Sequence, residues 1–134
     1  MGATATAVIG FAGWYTLLSV ALGVYRVGRA FGGGKAVNTF RVDGSDLEGF
    51  GQRLTRARDN CYETLPLFAA LAIGASMTGK LGVTDGLAMW VLWTRIGQSL
   101  THLASTSVPA VLLRANLFFV QMLIYAWWTI GLLG

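Results

Sequence analysis

Residues 1–25, 64–79, 96–113 and 115–134 contain no Asp, Glu, Lys or Arg, and this distribution leaves few folds open to the chain. Each run reaches, or comes close to once flanking polar positions are counted, the roughly 18 to 20 apolar residues that carry a helix across hydrocarbon. With 54% hydrophobic and only 12% charged residues, the chain is poorer in charge than a soluble domain. Its mean hydropathy is +0.59, and the runs lack the polar faces that a water-soluble bundle needs. The expected architecture is an all-α integral membrane protein, a bundle of four transmembrane helices in one domain over residues 1–134. The helices are expected over about 7–29, 52–78, 84–105 and 109–132.

The net charge of +4 would suggest a nucleic-acid partner in a soluble protein, but its placement points to a membrane instead. Arg26, Arg29, Lys35, Arg41, Arg53, Arg56 and Arg58 all fall around the connection between the first and second apolar runs. Basic connections stay in the cytoplasm, so this one is expected there and both chain termini on the opposite, periplasmic side. The first run has no basic leader and no clear cleavage site, and is expected to remain as the first helix. The single cysteine, Cys61, excludes an internal disulfide framework. One histidine, one cysteine and scattered carboxylates do not make a metal site.

Local signals refine the helices. Gly10, Gly13 and Gly23 would let a neighbour approach the first helix closely, the usual means of packing in lipid. Gly32 to Gly34 end it, and Ser45 with Glu48 has the spacing of a capping box ahead of the second helix. Pro66 is expected to bend that helix just beyond its polar part. Ser107 or Thr106 should cap the fourth helix, with Pro109 in its opening turn. Trp127 and Trp128 are expected near the outer interface.

The chemistry concentrates in the inner turns of the second helix. Arg53, Arg56, Asn60, Glu63 and Leu67 recur every three or four residues and so share one helical face. In the third helix Arg95 falls near mid-membrane, where an arginine costs at least about 2.5 to 3.5 kcal/mol unless it meets water or an anion. Glu63 is the expected partner, in a structural ion pair that specifies the fold more than it stabilises it. Gln98 and His102 extend Arg95 into a polar stripe, and Arg114 lies early in the fourth helix on the same membrane side. Arg26, Arg53, Arg56, Asn60, Glu63, Arg95, His102 and Arg114 together would form a cation-rich pocket fit for a small anion held by arginine forks. An arginine there could stabilise an anionic nucleophile belonging to the ligand, such as a thiolate.

The run Arg56-Ala57-x-x-Asn60-Cys61-x-Glu63-x-x-Pro66-Leu67-Phe68 resembles the signature of the membrane-associated proteins in eicosanoid and glutathione metabolism, the MAPEG family. The pattern of Arg95, Gln98, His102 and Arg114 is more loosely similar. The resemblance implies a homotrimer of four-helix subunits, of bacterial type and residing in the inner membrane, with glutathione bound as co-substrate between subunits near the cytoplasmic side. It implies that Arg26, Arg56, Asn60 and Glu63 belong to the glutathione site and that Arg114 stabilises the thiolate, with Arg53, Gln98 and His102 lining the same site. It further implies a transferase or peroxidase acting on lipophilic electrophiles or lipid hydroperoxides; the alternative is a non-catalytic lipid-binding or scaffold protein of the same fold. Asp59 stands where the family often has a basic residue, and His102 and Phe118 stand where it has tyrosines.

Overall fold

A computed structural model describes residues 2–32, 49–105 and 107–134. It consists of four α-helices, α1 (Ala3–Phe31), α2 (Phe50–Met77), α3 (Leu81–Ala104) and α4 (Val108–Leu133). The expected capping box at Ser45 and Glu48, the glycines Gly33 and Gly34, and Thr106 lie outside the described residues. α1 and α4 are each long and apolar enough to cross a membrane. α2 and α3 are not among these candidates; both carry more polar residues, some buried inside the bundle and some, such as Arg56 and Glu63, on its surface.

α3 is the hub. It packs on α1, α2 and α4, whereas α1 and α4 make no contact with each other among the described residues. Its buried residues Thr84, Ala88, Val91, Arg95, Gln98 and His102 recur every three or four positions, giving one continuous stripe down the helix. The stripe is apolar at Ala88 and Val91 and polar from Arg95 to His102, so α3 needs both packing partners and hydrogen-bond partners from its neighbours.

The apolar part of the core is aromatic. Phe68 of α2 meets Phe11 of α1 edge-on, with ring centroids 5.6 Å apart, and stacks on Trp128 of α4 at 5.7 Å. Tyr125 closes the group at 5.9 Å from Trp128. Trp128 is therefore fully buried and not interfacial as expected; Trp127 beside it is 66% exposed. Adjacent helical positions differ by about 100°, so only one of the two tryptophans can face the core.

Charged side chains near the helix ends join one helix to another. Asp85, near the start of α3, accepts from the Thr4 backbone N–H at 3.0 Å and from the Thr4 hydroxyl, supplying α1 with the N-terminal acceptor that its own N-cap, Gly2, lacks. Lys80 donates to the Leu132 carbonyl at 3.2 Å, near the negative end of the α4 dipole. Arg53, at the start of α2, donates from Nε to the Leu103 carbonyl at 2.9 Å and so closes the end of α3.

The α2–α3 connection is a Schellman turn. Lys80 N–H bonds the Ala75 carbonyl at 2.8 Å and Gly79 N–H that of Ser76 at 3.3 Å, with Gly79 at φ 69°, a conformation glycine adopts without penalty. Ser107 caps α4, accepting from Ala110 N–H at 3.4 Å, with Pro109 in the first turn. α2 runs on without interruption through Pro66.

Of the three glycines expected to allow close approach, Gly10 does so within the described residues. A Cβ on Gly10 would lie 2.9 Å from Leu92, but Gly13 and Gly23 have nothing within 4 Å. The tightest site is Gly51, where a Cβ would come within 2.5 Å of the Tyr25 ring. Gly51→Ala should therefore force α1 and α2 apart at their inner ends and lower stability by about 1–3 kcal/mol. Denaturant titration of the detergent-solubilised variant against Gly13→Ala, expected to be near neutral, checks this.

Candidate functional site

The polar residues of α2, α3 and α4 meet in layers. Deepest is Arg95, with no solvent exposure. Its Nη2 donates to the Thr64 hydroxyl at 2.8 Å, and its Cζ sits 5.7 Å from the Phe11 ring centroid, a favourable cation–π distance. Among the described residues Nε and Nη1 of Arg95 have no hydrogen-bond partner. In the neighbouring layers Cys61 Sγ touches Ser99 Oγ at 3.3 Å, and the buried Gln121 donates to Gln98 Oε1 at 3.0 Å.

The expected ion pair between Glu63 and Arg95 does not form. Thr64 follows Glu63 in the chain, and the turn of about 100° between them places the hydroxyl inside and the carboxylate on the exposed surface. The polar ladder lies one position off the buried stripe of Leu54, Cys61, Thr64 and Phe68. Arg56, Glu63 and Leu67 are consequently exposed, and Asn60 is half-buried. Among the described residues the α2 ion pair is the local one between Arg58 and Asp59, at 2.8 Å.

The innermost layer joins three helices. Arg114 Nη1 of α4 lies 2.6 Å from His102 Nδ1 of α3, and the Asn60 amide of α2 contacts His102 Nε2. Three residues far apart in sequence thus form one chain of contacts, with His102 buried between the other two. Arg53 is engaged through Nε with the Leu103 carbonyl, and Gln98 with Gln121; both hold helices together. Arg26 is half-buried near the end of α1. Arg56, Glu63 and the outer side of Arg114 remain as groups that could meet a polar ligand at the subunit surface.

Two grooves mark the surface of the subunit, and both lie toward the opposite end. One is lined by Thr4, Val8, Ile9, Ala72, Ile73 and Ser76, the other by Val83, Trp127 and Ile130. Neither includes Asn60, His102 or Arg114. On the α2 side of this constellation Arg56 and Glu63 reach the surface.

Thr64 and Gln121 were not among the expected site residues. Gln121 carried a usable signal, because an amide within an otherwise apolar run needs a partner on a neighbouring helix. Thr64 carried none, since a threonine can satisfy its hydroxyl within its own helix.

A helical bundle with two membrane-crossing candidates, a paired polar interior and arginines at one end is the framework of a small integral membrane protein. The sequence model of the MAPEG family matches residues 4–134, nearly the whole chain, and the protein belongs to that family. No curated protein and no solved structure matches the chain.

Thr64→Val removes the hydrogen-bond acceptor of a buried guanidinium and should destabilise the bundle by about 1–3 kcal/mol, whereas Glu63→Ala should leave folding nearly unchanged. Thermal unfolding of the two variants in one detergent compares them directly. Equal stability of the two variants would show that Thr64 does not anchor Arg95.

Proposed function

We propose that the protein is a membrane-bound glutathione-dependent transferase or peroxidase acting on lipophilic electrophiles or lipid hydroperoxides. The observation that carries this reading is the convergence of Asn60, His102 and Arg114, from three helices, beside an exposed face bearing Arg56 and Glu63. Membership of the MAPEG family supports it, as glutathione chemistry is common in that family.

Glutathione offers two carboxylates and an ammonium. Arg56 suits a carboxylate, and Glu63 suits the ammonium. Arg26 and Asn60 complete the binding groups. Arg114 would lie against the sulfur, where a fixed positive charge favours the thiolate over the thiol. The proton leaves to water. The thiolate then forms a carbon–sulfur bond with an electrophile, whose leaving group departs with the electron pair. With a hydroperoxide, sulfur attacks the terminal oxygen and the O–O bond breaks. The alcohol departs with a proton, and a second glutathione converts the sulfenic acid to disulfide and water.

The same exposed face supports a homotrimer. A charged stripe at Arg56 and Glu63 interrupts an otherwise apolar surface and is poorly suited to lipid, while a neighbouring subunit would cover it and close the site. In the membrane, all four helices span, α2 and α3 being shielded by α1, α4 and the neighbouring subunits. The basic end faces the cytoplasm and the termini the periplasm of a bacterial inner membrane, and hydrophobic substrates reach the site from the lipid.

Calorimetric titration of the purified protein with glutathione tests the binding step, and saturable binding is expected. Arg114→Ala should lower turnover with a lipophilic electrophile by about 10²–10³-fold while the yield of assembled protein stays near that of the parent. Absence of glutathione binding to the parent protein, or equal loss of yield and turnover in the variant, overturns the proposal.

A further inference from the structure

We infer that His102 is a positioning residue for Arg114, acting through its unprotonated Nδ1 and not by touching the ligand. The inference rests on the assignment of Arg114 to the reacting sulfur. Among the described residues His102 is the hydrogen-bond partner of Arg114, with Nη1 at 2.6 Å from Nδ1 and 3.5 Å from Nε2. Arg114 Nε is buried and has no partner. His102 is itself 7% exposed, so its ring is spent on the two neighbouring side chains.

Donor and acceptor chemistry fixes the ring state. A guanidinium only donates, so the Nδ1 facing it must present a lone pair. The imidazole is then neutral with its proton on Nε2, where the Asn60 amide meets it. The structure sets Asn60 Nδ2 against Nε2; because two donors cannot share that contact, the two ends of the amide are exchanged so that Oδ1 accepts there. Asn60 thereby selects the tautomer that Arg114 requires, and the guanidinium is held by Nη1 while Nη2, which makes no hydrogen bond among the described residues, is left for a ligand. A cation that stabilises developing charge is effective when it is oriented in advance. The chain Asn60, His102, Arg114 supplies that orientation from α2 through α3 to α4.

The sequence has a single histidine, which makes the ring directly observable. Full-length protein carrying ring-¹⁵N histidine should give, at neutral pH, one protonated and one unprotonated ring nitrogen, with Nδ1 the unprotonated one. Arg114→Met should release the ring and mix the tautomers. A protonated Nδ1 in the parent, or ring signals unchanged in Arg114→Met, overturns the inference.

A second arm uses glutathione with a lipophilic electrophile. His102→Leu should lower kcat by about 10²-fold with little change in the KM for glutathione, and should weaken the ultraviolet absorbance of the bound thiolate. His102→Asn, whose amide oxygen can replace Nδ1 as acceptor, should recover most of both. Unaltered kcat in His102→Leu, or no recovery in His102→Asn, counts against a positioning role. Failure of the parent protein to bind glutathione removes the proposed function, while the ring signals still decide whether His102 holds Arg114.

Discussion

The bundle is built around a guanidinium with no access to solvent. Arg95 has its positive charge inside a largely apolar chain, and isolated burial of such a group is strongly unfavourable. The fold answers with a hydroxyl from α2 and an aromatic face from α1. Because Thr64 and Phe11 belong to different helices, satisfying Arg95 fixes how α1 and α2 sit on α3. Phe11 then touches Phe68, and Phe68 touches Trp128, so the same placement extends to α4.

The constraint repeats along α3. Ser99 finds Cys61, Gln98 finds Gln121 and His102 finds Asn60 and Arg114. Hydrophobic burial cannot distinguish one helix register from another where lipid is as apolar as the side chains. A misaligned polar group, by contrast, loses its partner. Register in this bundle is accordingly set by polar contacts, and the aromatic contacts fill the space between them. One device thus serves both the fold and the site, since the last polar layer of α3 is the one that holds Arg114.

α2 carries two adjacent stripes of different character. Leu54, Cys61, Thr64 and Phe68 turn inward, while Arg56, Glu63 and Leu67 turn out. Asn60 lies between them and is shared by both. Glu63 and Arg56 of α2 both lie on this face, where the proposed ligand and a neighbouring subunit would meet them.

Charge-free runs, the basic connection and the spacing from Arg56 to Phe68 are properties of the chain as a string, and they determined four helices, a membrane setting and the family. They also placed Asn60, His102 and Arg114 among the candidate residues, because polar groups in apolar segments stand out without any structure. Which partner each would take was a tertiary matter. A shift of one residue on a helix turns a side chain by about 100°, and the sequence does not say which of two neighbouring polar positions faces inward. Glu63 is the charged and more conspicuous counterpart for Arg95, yet Thr64 occupies the interior. The same uncertainty of angle separates Trp128 from Trp127 and joins His102 to Arg114, and only the packing of α3 against its three neighbours resolved it.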